Sequence, residues 1–176
     1  MIMIEILRLT HRIRRDPRLS SHVALTARAF LADKLFYSGD RDTKFESSIN
    51  NTVNRFGGSF EIQYVEDALK LVKKRKENGV LIIHLTAYGE KLIEVIPKIR
   101  VHKDILIIVG SERVEPEFYE LADYNVGITN QPISEVSALA VFLHEYFEGK
   151  ELDFKFENAK IIFNPSKRGK VVIDKR

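Results

Sequence analysis

Three short segments combine a turn-forming glycine or proline with hydroxyl, amide or charged side chains, and each follows an apolar stretch of the chain. They are residues 84–89 (HLTAYG), 110–114 (GSERV) and 129–132 (TNQP). If the apolar stretches are neighbouring parallel strands, the segments meet at one edge of a sheet, where open α/β sheets bind ligands. Polar groups between apolar walls suit a flat ligand of mixed polarity, such as adenosine. Each segment alone also fits an ordinary turn after a strand.

A second chemically distinctive group is the arginine cluster of residues 8–18. Five arginines and one aspartate give this stretch a charge of +4, whereas the whole chain of 176 residues carries +3. A planar guanidinium can hold a phosphate through two hydrogen bonds, so the cluster favours a phosphate backbone as partner. The alternative is a solvated basic loop. The predicted RNA contacts are Arg8, His11, Arg12, Arg14, Arg15, Arg18 and His22.

Several other chemistries lack the residues that they need. The chain has no cysteine, no GxGxxG or GxxxxGK[ST] motif and no HExxH motif, and its five histidines are scattered. A cysteine nucleophile, a phosphate-cradling NTPase loop and a metal site are therefore not predicted. The longest apolar runs are far shorter than a bilayer span, and the N-terminal apolar stretch precedes its charges, unlike a secretory signal. We therefore expect a cytoplasmic protein.

The elements that must position these segments alternate between strand and helix patterns. Strands are predicted at residues 1–9, 34–37, 60–65, 80–85, 104–109 and 124–128. Helices are predicted at residues 43–56, 67–78, 90–96 and 116–121, with another capped by Ser20 or Ser21. This order predicts an α/β open sheet, mostly parallel, with helices on both faces. The pattern then changes to strand-like pieces at residues 154–156, 160–163 and 171–173, so we predict a domain of residues 1–150 and a β-hairpin extension of residues 151–176.

Several of these segments resemble the motifs of a known enzyme class. Residues 22–35 (HVALTARAFLADKL) place a polar residue six positions before Arg28, and small and apolar residues follow. With residues 110–112 and 135–140, they are similar to the three motifs of the SPOUT RNA ribose methyltransferases, in the same order. Over most of its length the chain resembles the archaeal SPOUT enzymes that methylate the 2'-hydroxyl of cytidine 56 in tRNA.

The resemblance implies a C-terminal trefoil knot whose loops bind S-adenosylmethionine, with Thr129, Asn130 and Gln131 inside the protein on a buried ligand. It implies Arg28 as the catalytic residue, a homodimer with tRNA as substrate, and an interface near the apolar helix of residues 136–147. The cofactor-binding residues that it implies are Leu85, Gly110, Ser111, Glu112, Arg113, Val114, Ile128, Thr129, Asn130, Gln131, Pro132, Ile133, Ser134 and Glu135.

Two alternatives stay open at this point. A related SPOUT enzyme could methylate another tRNA or rRNA nucleotide, because the sequence does not display the target. A non-enzymatic RNA-binding α/β module would use the strand-end segments only as turns, and it would not bind S-adenosylmethionine.

Overall fold

The described residues, 2–15, 17–110 and 113–175 of a computed structural model, fold around a six-stranded parallel sheet. The elements in chain order are β1 (Met3–His11), α1 (Pro17–Ala29), β2 (Lys34–Gly39), α2 (Thr43–Phe56), β3 (Glu61–Tyr64), α3 (Ala68–Glu77), β4 (Leu81–Lys91), α4 (Leu92–Ile99), β5 (Asp104–Val109), α5 (Pro116–Leu121), β6 (Tyr124–Gly127), α6 (Glu135–Phe147), a 3-10 turn (Lys150–Asp153), β7 (Ile161–Asn164) and β8 (Val171–Asp174).

The sheet has the strand order β3-β2-β1-β5-β4-β6, and all of its pairs are parallel. Two apolar cores cover its two faces. One core contains Val23 of α1, Ile49 of α2 and Phe142 of α6, and the other contains Val72 of α3 and Phe118 of α5. The predicted α/β sheet with helices on both faces is confirmed. Strands that are covered on both faces are mostly apolar, as the sequence patterns indicate.

Some predicted boundaries are wrong. Helix α1 begins at Pro17 instead of after Ser20 or Ser21, and Ser20 is buried with its hydroxyl 2.8 Å from Nδ1 of His11. Residues 154–156 form no strand. Pro97 does not end its helix but lies inside α4. The start of α1 at Pro17 follows a local preference, because proline is favoured at the first position of a helix.

The last two strands, β7 and β8, form an antiparallel pair apart from the main sheet. Their base contacts the end of α2, where Lys160 N donates to Arg55 O at 3.0 Å and Gly58 N donates to Glu157 O at 3.0 Å. Among the described helices none is long and apolar enough to cross a membrane.

Candidate functional site

A cavity of about 470 Å³ lies at the carboxyl ends of β4, β5 and β6 and reaches the start of α6. All three predicted segments contribute to its wall, although residues 84–89 lie inside β4, which continues beyond its predicted end at residue 85. The residues lining it are His84, Leu85, Thr86, Ala87, Tyr88, Val109, Gly110, Val114, Tyr119, Val126, Ile128, Thr129, Gln131, Pro132, Ile133, Glu135 and Ala138.

An irregularity in β4 creates one wall of this cavity. Both Leu85 and Glu90 pair with Val126 of β6, so the four residues between them bulge out of the sheet. Gly89 closes the bulge, because a Cβ there would lie 2.4 Å from Val126 N. Asn130 ties the bulge to the segment after β6, since its Nδ2 donates to Ala87 O at 2.9 Å and to Gly89 O at 2.8 Å. Two walls of the cavity are thus joined by one side chain.

The innermost polar group of the cavity is the buried imidazole of His84. Its Nδ1 lies 2.9 Å from Oδ1 of Asn125, whose Nδ2 donates to Tyr119 O at 2.9 Å. That second bond identifies Oδ1 as the acceptor, so Nδ1 of His84 carries the proton and Nε2 keeps a lone pair. Nε2 lies 3.9 Å from the position that a Cβ on Gly110 would occupy. Burial lowers the pKa of His84, and its bond to Asn125 opposes that shift. A neutral acceptor therefore lies at the inner end of the cavity.

Arg8 contacts another part of the cavity wall, at Gly110 and Glu135, from inside the protein. Its guanidinium is buried, donates to Gly110 O, and has Nη1 3.8 Å from Oε1 of Glu135. The predicted exposure of Arg8 to RNA is therefore wrong. Arg8 is inside because β1 is a central strand covered on both faces, and its charge is balanced there by a carbonyl and a carboxylate.

The remaining predicted RNA contacts separate by burial. His11 is also buried, with Nε2 3.3 Å from Oδ2 of Asp42, the residue that caps α2. Its predicted role as an exposed contact is wrong, because β1 extends through it and carries it into the core. Arg12 is half-buried. The exposed members are Arg14, Arg15, Arg18 and His22.

The predicted cofactor residues also divide into groups. Leu85, Gly110, Val114, Ile128, Thr129, Gln131, Pro132, Ile133 and Glu135 line the cavity. Asn130 joins two of its walls, and Ser134 caps α6 with its hydroxyl 3.2 Å from Val136 N. Arg113 lines a neighbouring cavity of about 650 Å³. Ser111 and Glu112 lie outside the described residues.

The burial of the polar turn is a prediction that the structure contradicts. Thr129, Asn130 and Gln131 are exposed, at the rim of the cavity instead of in the interior. Their side chains bond within the turn and to neighbouring carbonyl groups, as when Thr129 Oγ1 accepts from Gln131 N at 3.3 Å. His84 and Thr86, from the first of the three predicted segments, also line the cavity, together with Tyr119, which the sequence did not single out.

Arg28 lies far from this cavity within one chain. Helix α1 runs back from the carboxyl end of β1, and at its far end Asp33 N donates to Ile4 O at 2.8 Å, beside the start of β1. Nη2 of Arg28 donates to Gly57 O at 2.6 Å, and its guanidinium lies 4.5 Å from the centre of the Phe156 ring. Burial lowers its pKa. The cavity lies at the carboxyl ends of the strands, and Arg28 lies near their amino ends.

The fold is that of the SpoU/TrmH class of RNA methyltransferases. A TrmH/SpoU tRNA-modifying enzyme from A. aeolicus matches with a TM-score of 0.64 and 18% identity, over 86% of this chain and 77% of that one. The SpoU methyltransferase AviRb from Streptomyces viridochromogenes, solved with the cofactor AdoMet, gives a TM-score of 0.62 and 17% identity, over 83% and 57% of the two chains. At such low identity these similarities concern the fold.

Sequence comparison then identifies the family. Residues 56–173 match the model of the tRNA ribose 2'-O-methyltransferase family, aTrm56. The tRNA (cytidine(56)-2'-O)-methyltransferase of Methanocaldococcus jannaschii is 50% identical, over 98% of this chain and 97% of its own length. The enzyme of that name from Thermococcus kodakarensis is 47% identical, over 97% of both chains. The chain belongs to the tRNA ribose 2'-O-methyltransferase family, which confirms the predicted resemblance.

Proposed function

We propose that this protein transfers a methyl group from S-adenosylmethionine to the ribose 2'-hydroxyl of cytidine 56 in tRNA. The observation that carries the proposal is 50% identity over nearly the whole chain to a relative of that named activity. The cavity supports it independently, because its walls come from the three segments in which the sequence predicted a ligand site.

The residues of the cavity fit the chemistry of this methyl donor. Leu85, Val109 and Ile128 give apolar walls for an adenine ring, and His84 and Thr86 offer hydrogen-bonding groups deeper inside. Glu135 adds a carboxylate to the lining, shared with the buried Arg8. When bound, S-adenosylmethionine supplies a methyl group on a sulfonium centre that needs no metal to activate it. The residues that we propose to hold it are those of the predicted set that line the cavity, together with Asn130, Ser134 and Arg113.

Methyl transfer requires the 2'-oxygen to approach in line with the bond from sulfur to methyl carbon. An O–C bond forms as the S–C bond breaks, S-adenosylhomocysteine leaves with the electron pair of that bond, and the hydroxyl proton passes to solvent. Positioning and electrostatics can supply most of this catalysis. We assign Arg28 to lowering the pKa of the hydroxyl and orienting a neighbouring phosphate, because a guanidinium is a poor proton acceptor.

Arg28 can serve this reaction only if a second subunit brings it to the cavity. We therefore include a homodimer in the proposal. A candidate surface for it lies on α1, on α6 and on the segment just before α6, where the apolar side chains of Leu25, Val141 and Ile133 are 40%, 42% and 44% exposed. Helix α6 begins at the cavity and packs against α1, so an interface there would lie between the two functional regions. Apolar exposed faces of this kind mark association surfaces.

The proposal has four further parts. A C-terminal trefoil knot rests on the family resemblance, whereas a division into residues 1–150 and 151–176 and a cytoplasmic location rest on the sequence patterns described above. The arginine cluster supports RNA contacts from Arg12, Arg14, Arg15, Arg18 and His22. The exposure of the last four residues supports their assignment.

Incubation with radiolabelled S-adenosylmethionine and an unmodified tRNA transcript tests the proposal. The ribose methyl group is mapped by its resistance to alkaline cleavage, and we expect one mark, at cytidine 56. A mark at another nucleotide would keep the methyltransferase and change its target. Absence of both transfer and cofactor binding would leave an RNA-binding module.

A further inference from the structure

The turn between β7 and β8 carries a compact positive charge that the fold itself does not use. Residues 165–170 (PSKRGK) contain Lys167, Arg168 and Lys170 and no acidic residue, and all three cations are exposed. The turn has a defined shape, because Ser166 Oγ donates to Arg168 O at 2.8 Å and accepts from Arg168 N at 3.3 Å. Like charges held so close repel one another, which disfavours the free hairpin. An anionic partner would remove that cost.

The hairpin is held firmly against the main domain. Gly57 makes this possible, since a Cβ there would lie 2.2 Å from Glu157 O. Ile161, the first residue of β7, is buried, and the ring of Phe163 lies 5.1 Å from that of Phe56. A turn on such a base can place charges at a fixed distance from the rest of the protein.

One face of the hairpin also exposes an aromatic ring. Phe163 is 68% exposed, and its partner across the ladder, Val172, is 51% exposed. Exposed aromatic rings beside cations suit single-stranded or loop RNA, because bases stack on the ring while phosphates meet the charges.

The position of the hairpin connects it with Arg28. Phe156, which lies between α6 and β7, has its ring centre 4.5 Å from the Arg28 guanidinium. The hairpin therefore extends from the amino ends of the strands, where Arg28 lies. The exposed arginines of the cluster follow the carboxyl end of β1. RNA bound by the hairpin would therefore lie close to Arg28, the residue that we assign to the ribose 2'-hydroxyl.

We propose that the β7–β8 hairpin is an RNA-binding element whose turn holds tRNA backbone phosphates through Lys167, Arg168 and Lys170. Charge complementarity favours RNA over a protein partner, because the turn offers three exposed cations and no acid. This inference rests on the proposed function, since it gives the tRNA substrate a second contact region.

The test is tRNA binding by a variant carrying Lys167→Gln, Arg168→Gln and Lys170→Gln. Three lost phosphate contacts should weaken binding at least about 10-fold near physiological salt and reduce the slope of log K against log salt by about 2 to 3. A matched variant with Lys98→Gln, Lys103→Gln and Lys150→Gln loses the same charge at exposed positions elsewhere. It should bind tRNA much more like the wild type.

Two further measurements, of S-adenosylmethionine binding and of the molecular mass in solution, separate the outcomes. Unchanged tRNA affinity and salt slope in the turn variant, with normal transfer to tRNA by the wild type, would overturn the hairpin inference alone. A turn variant that loses its dimer while its monomer binds tRNA normally would show a protein interface instead. A wild type that binds neither tRNA nor S-adenosylmethionine would overturn the proposed function itself.

Discussion

His84 is buried in the cavity wall as a neutral imidazole, and its protonation is therefore linked to folding. An unperturbed histidine has a pKa of about 6.5, and burial lowers the pKa of His84 in the folded protein. The folded state then binds this proton less readily than the unfolded chain. The stability that depends on neutral His84 is complete above about pH 6.5 and is lost as the pH falls through the lowered pKa.

Replacing His84 with asparagine tests this linkage. The amide can keep a donor to Asn125, but it does not titrate, so the variant should lose stability less steeply between about pH 7 and pH 5. The difference in slope can reach about 1.4 kcal/mol per pH unit for one proton. Urea unfolding at several pH values measures it. A constant offset between the two proteins, with parallel pH curves, would show that His84 does not carry the effect. Weaker cofactor binding is also expected.

The junction between α2 and the hairpin depends on a close backbone approach at Gly57. Gly57 and Gly79 share a φ of +79°, but a Cβ at Gly57 would lie 2.2 Å from a backbone oxygen, whereas nothing lies within 4 Å of one at Gly79. Gly79→Ala should therefore cost only the left-handed backbone penalty of about 1–2 kcal/mol. Gly57→Ala should cost more and should increase hydrogen exchange in β7. Equal unfolding free energies for the two variants would contradict the close-contact argument.

Helices and strands differ in how well the sequence predicts them. Helix α2 has the predicted bounds of residues 43–56, because Asp42 caps its start and Gly57 ends it. Strand β1 continues to His11, beyond the predicted end, because pairing with β2 continues to Gly39. His11, which the sequence places in the basic stretch after the strand, is therefore a buried strand residue. Local capping signals fix the ends of α2, whereas strand ends depend on a partner distant in sequence.

The opposite positions of Arg28 and the cavity predict that activity requires two chains. Arg28→Ala should abolish transfer and leave cofactor affinity nearly unchanged. Ala138→Phe, a substitution on the cavity wall, should abolish cofactor binding. Because half of a random mixture of two subunits forms mixed dimers, each with one complete site, mixing the inactive variants should restore about one quarter of wild-type activity.

Subunit exchange followed by the methyl-transfer assay gives this measurement. Each variant assayed alone is the control for residual activity. If Arg28 acted on the cavity of its own chain, every subunit in the mixture would be defective, and no activity would return.

The sequence by itself determined the parallel sheet, the three segments that meet at its edge and the family, because these depend on periodicity and on ordered motifs. Tertiary structure decided which of the polar residues face the cavity. His84 lies in the cavity wall and is hydrogen-bonded to Asn125, 41 positions away. Arg8 is buried and donates a hydrogen bond to Gly110 O, 102 positions away. Tertiary structure also decided that Arg28 and the cavity lie apart. Alternation along a strand sets the face of the sheet on which a side chain lies. The residues that contact this side chain are distant in sequence and come together only when the chain folds.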